Sequence, residues 1–72
     1  MNKRKLAALM AEYGDTQKTL SSSIGVSLSR FNAKLNETGG AEFGQTEITN
    51  ISKRYNLSPE RIAEIFFDSA VS

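Results

Sequence analysis

Residues 17–35 read QKTLSSSIGVSLSRFNAKL, and the fold turns on them. Leu20 and Ile24 form one apolar stripe ahead of Gly25, and Phe31 and Leu35 form a second behind it, which is the spacing of two short helices joined by a turn. Asp15 and Thr16 are both N-cap types and open the first helix at Gln17, to run to about Ser23; Ser27 caps the second, from Leu28 to about Asn36. Gly25 ends the first, because glycine enters the left-handed backbone region at no steric cost. The small Ser21 would let the two helices approach, while Val26, Phe31 and Leu35 would fix the second one on the core. The pattern fits a helix-turn-helix over about residues 16–36. Two amphipathic helices joined by glycine in an ordinary bundle would give similar spacing.

Outward from this stretch the chain continues in short helices. Leu6, Leu9, Met10 and Tyr13 recur at helical spacing, with Gly14 as a C-terminal stop. Thr38-Gly39-Gly40 is the clearest loop, and a short irregular or extended piece is expected at 41–44. Thr46 is expected to start a fourth helix, with Ile48, Ile51 and Tyr55 on one stripe and Asn56-Leu57 as its break. Ser58-Pro59 is a strong start signal, a cap followed by proline at the first helical position. It opens a fifth helix to about Asp68, with Ile62, Ile65 and Phe66 inward. There is no long alternating strand pattern and no internal repeat. The expected architecture is all-α, a compact five-helix domain spanning residues 1–72.

Composition removes most chemistry. With 72 residues, no cysteine and no histidine, the chain lacks a disulfide framework, a thiolate metal site and the commonest general base. Its carboxylates are scattered and no serine has a histidine to activate it. No catalytic, metal or cofactor site and no small-molecule substrate is expected. Hydrophobic and charged fractions of 39% and 24% are those of a soluble globular domain. No apolar run nears the roughly 20 residues that span a bilayer. Leu6 to Ala11 is too short for a signal sequence, so no membrane partner is expected and the place of action is the cytoplasm.

Net charge is +1, but it is polarised: residues 1–36 carry six cations and two acids, +4, and residues 37–72 three cations and six acids, −3. The first half suits phosphates and the second a basic partner. If the turn lies at Gly25, the exposed face of the second motif helix carries Ser27, Leu28, Ser29, Asn32 and Ala33, flanked by Arg30 and Lys34. Asn32 could pair bidentately with adenine, and Gln17 and Lys18 would lie at a phosphate. Were Lys3, Arg4, Lys5, Lys18, Arg30 and Lys34 all on phosphates, the salt slope would approach roughly −5, and half that number is expected. The face is short of strong base readers, so a monomer should hold double-stranded DNA weakly. Leu28 suits a protein contact better. Phe66 and Phe67 diverge by about 100° on a helix, so one of them is expected outside the core, beside Ile62 or Val71. With Glu42, Phe43, Glu47, Glu60, Glu64 and Asp68 it would form an acidic, aromatic surface for a basic protein.

Gln17, Ser21, Gly25-Val26 and Phe31 in this register resemble the helix-turn-helix of phage Cro and CI-type repressors, over residues 5 to about 58. The start MNKRKL, the stretch from Leu28 to Gly40 and the ending YNLSPE through IFF are similar to a family of short antirepressors, the modulators of repression, encoded beside the CI gene of temperate phages of Gram-positive bacteria. That resemblance implies a regulator of the lysis–lysogeny switch. It would bind the N-terminal DNA-binding domain of its cognate CI repressor, block DNA binding and favour lytic growth, and could act with the repressor at one promoter. Two alternatives stay open: a Cro-like dimer that binds operator DNA directly, and an interaction module outside transcription.

Overall fold

A computed structural model describes residues 1–67. They form five α-helices: α1 (Lys3–Glu12), α2 (Gln17–Ser23), α3 (Leu28–Leu35), α4 (Gln45–Tyr55) and α5 (Pro59–Phe66), with a single 3₁₀ turn at Thr38–Gly40. There is no strand among the described residues, and no helix there is long and apolar enough to cross a membrane. The expected Asp68 end of α5, and Val71, lie outside the described residues.

Each helix starts where a side chain can satisfy its free amides. Asn2, Thr16, Ser27 and Ser58 accept from the amides of Lys5, Thr19, Arg30 and Arg61, which secures donors that would otherwise lack a helical partner. Pro59 occupies the first turn of α5. Helix α2 begins at Gln17 as expected, and the start of α4 differs from the sequence reading. Thr16 alone caps α2, leaving Asp15 for another task. Helix α4 begins at Gln45 rather than Thr46, because Glu47 reaches back to the Gly44 amide (2.8 Å) and stabilises an earlier start. Two glycines act as expected: Gly14 and Gly25 have φ of +73° and +74° in the turns after α1 and α2. Helix α1 ends at Glu12, and Tyr13 is its C-cap.

Leu6, Leu9, Met10, Leu20, Ile24, Phe31, Leu35, Ile51, Tyr55, Ile65 and Phe66 make one core with contributions from all five helices. Phe43, from the extended piece between the 3₁₀ turn and α4, completes it. Its ring sits edge-on to Phe31 (5.4 Å) and to Phe66 (6.1 Å), so the three rings bind α3 to α5. Val26, Ile48, Leu57 and Ile62 are half-buried against this core. Tyr13 departs from its expected inward stripe: it is exposed, with its ring 4.7 Å from that of Tyr55 and its hydroxyl donating to the Tyr55 carbonyl.

Candidate functional site

The face built by α2, its turn and α3 is the candidate contact surface. Ser21 is buried, its hydroxyl turned back onto the Lys18 carbonyl, and the Val26 amide donates to the Ser21 carbonyl. The turn is therefore tied to α2 by backbone as well as by Gly25. Beyond it, Phe31 and Leu35 point into the core while Leu28, Ser29, Arg30 and Asn32 are exposed. Leu28 is 48% exposed, and with Thr16, Gln17, Lys18, Ser29 and Asn32 it lines an open depression between the two helices.

A line of hydrogen bonds crosses this face. The Lys3 ammonium donates to Asn36 Oδ1, Asn36 Nδ2 donates to Asn32 Oδ1 (3.3 Å) and to its carbonyl (2.9 Å), and Asn32 Nδ2 donates to Gln17 Oε1 (3.2 Å). Four polar side chains from α1, α2, α3 and the α3 cap are thereby joined across the outer surface. Lys3 was expected only as a phosphate cation; nothing in sequence spacing pointed to Asn36 or to its pairing with Lys3, 33 residues away.

Several expected contact groups are engaged within the protein. Lys34 donates to both carboxylate oxygens of Glu47 at 2.7 Å, and both side chains are largely buried. Burial alone would raise the Glu47 pKa. The Lys34 bonds, the Gly44 amide and the charges of Lys34 and Arg30 outweigh it and lower it. Lys34 is therefore no free phosphate ligand and Glu47 no free acid for a partner. Ser27 is occupied as the α3 cap.

The other expected partner-facing residues divide. Phe43 is 8% exposed, so it is a core residue and not a surface anchor; its position between Phe31 and Phe66 is the reason. Phe67 is 64% exposed, whereas Phe66 is buried, as their angular divergence required. Glu42, Glu60 and Glu64 are exposed, and Glu64 lies 3.5 Å from Arg61. Between α4 and α5 an open groove of about 750 Å³ is lined by Phe43, Ile48, Leu57, Ile62 and Phe67, with Glu42 and Lys53 among its polar neighbours.

One cluster is absent from the sequence reading. Asp15, with a side chain only 6% exposed, accepts two bonds from Arg54 (2.7 and 2.8 Å), one from the Tyr55 hydroxyl (2.6 Å) and one from Thr19 (2.9 Å). The Arg54 bonds, then that of Tyr55, hold its pKa well below the usual carboxylate range. Burial, then the hydrogen bond to Asp15 and its charge, push the Tyr55 phenol well above its ordinary value. The cluster clamps the α1–α2 junction to α4. Every member has a partner, and the arrangement is structural. Among the described residues no group of His, Cys, Asp and Glu could hold a metal ion.

No family model, no curated protein and no solved structure matches this chain.

Proposed function

We propose that the protein is a regulator of a phage genetic switch that binds the N-terminal DNA-binding domain of a CI-type repressor and keeps that repressor off its operator. One observation carries this reading. The outer face of α3 offers Leu28 as an exposed large apolar side chain, while Lys34 is engaged by Glu47 and Asn32 by Gln17 and Asn36. An exposed leucine beside an open depression suits a protein anchor; cations and amides already bonded at home make a poor operator reader. Isothermal titration of the cognate repressor's N-terminal domain tests it. Leu28→Asp should weaken binding at least about tenfold, as for a central apolar anchor; unchanged affinity would refute the assignment.

A Cro-like reading, direct binding to operator DNA, is favoured by the line from Lys3 to Gln17. The line meets α3 at Asn32 and at its C-cap Asn36, one helical turn apart, and so places a cation and two amides side by side on the outer face of α3. In that reading Lys3 meets a phosphate while Asn32 exchanges Gln17 for a base edge. A gel shift on switch-region DNA at about 150 mM salt separates the readings. Tight, sequence-specific binding by this protein alone would favour the Cro-like one.

A further inference from the structure

We propose that the groove between α4 and α5 is filled by a second copy of this chain, packed antiparallel across a two-fold axis. Ile48, Leu57, Ile62 and Phe67 form a continuous apolar surface there, and Phe67 stands 64% exposed on it. A closed pair requires one patch that complements itself, so that residue i meets j′ and j meets i′. This groove meets that requirement in charge. Glu42 lies just before the start of α4 and Lys53 in its last turn, so the two ends of the groove carry opposite charges. Turning a second copy end for end sets Glu42 against Lys53′ and Lys53 against Glu42′. Reciprocal insertion then lets each Phe67 cover the other groove.

The remaining charges do not oppose this. Glu47 is bound to Lys34 and Glu64 lies beside Arg61, so no large like-charge field surrounds the groove. A strongly basic partner would gain little here for the same reason. The groove shares no residue with the α2–α3 depression, so the pair is independent of the repressor-binding reading and leaves that face open. The face is small against the usual buried area of about 800 Å² per partner, so the pair is expected to be weak and concentration-dependent.

Sedimentation equilibrium on the full chain, at concentrations up to about 1 mM, the Kd range of weak pairs, tests it. The parent should associate to a dimer, and Phe67→Asp should weaken association at least tenfold while helicity by circular dichroism is kept. Glu42→Lys and Lys53→Glu should each weaken self-association about three- to tenfold by setting like charges opposite one another. Mixing these two variants should restore association as a heterodimer, because each then meets its complement. A parent that stays monomeric overturns the proposal. So does a dimer indifferent to Phe67, or a mixture no tighter than its components. If the parent stays monomeric and repressor domain shifts the amide resonances of Ile48, Thr49 and Leu57, the groove belongs to that partner instead.

Discussion

Gly25 and Asp15 show how much a single residue can decide. At Gly25 a side chain would meet nothing within 4 Å, and the obstacle is the φ of +74° alone. Gly25→Ala should therefore cost about 1–2 kcal/mol of stability, the penalty of the left-handed conformation, and Gly25→Asn less; urea denaturation measures both. A larger loss would mean that the turn is sterically crowded. Asp15→Ala removes the acceptor of the Tyr55 hydroxyl and the partner of Arg54, and should cost roughly 1–3 kcal/mol. The same cluster sets the pH response. The folded Asp15 pKa lies below its unfolded value, so its contribution is complete above about pH 4 and falls as pH drops towards the folded pKa. The folded Tyr55 pKa lies above its unfolded value, so its contribution is complete below about pH 10 and is lost as pH rises through the folded pKa. Thermal unfolding of Asp15→Ala should show a weaker loss of stability in acid than the parent.

At the scale of elements, what was legible in the sequence was local. Stripe spacing, the Ser27 and Ser58 caps, Pro59 and the glycine after each of the first two helices located all five helices within a residue or two, because capping and turn chemistry act over a few positions. The divergence of Phe66 and Phe67 was legible for the same reason. What escaped was long-range. Asp15 has the chemistry of an N-cap, and only the approach of α4 gives it Arg54 and Tyr55 instead. Lys34 resembles a free flank cation until Glu47 arrives from α4, and Phe43 a surface anchor until Phe31 and Phe66 enclose it. The contrast between Lys3 and Lys34 is testable. In the Cro-like reading Lys3→Ala should reduce the slope of log K against log salt by about one, whereas Lys34→Ala should leave it unchanged and lower stability instead. Equal slopes in both variants would count against a phosphate role for Lys3.

Across the whole molecule, internal pairing reshapes the charge polarity of the sequence. Met1's amine with Glu37 (3.6 Å), Lys34 with Glu47, Arg54 with Asp15 and Arg61 with Glu64 engage four acids. Three of these acids, Glu37, Glu47 and Glu64, belong to the acidic half, which is therefore less available to a basic partner than composition suggested. Cations at Lys3, Arg4, Lys5, Lys18 and Arg30 stay exposed on the α1–α3 side. The regulatory account thus depends on α3 presenting its outer face to another macromolecule. Amide chemical-shift mapping with the cognate repressor's N-terminal domain tests this most directly. The largest changes should fall at Gln17, Lys18 and Leu28 to Asn32. Changes confined to other surfaces, or none at saturating concentration, would contradict it.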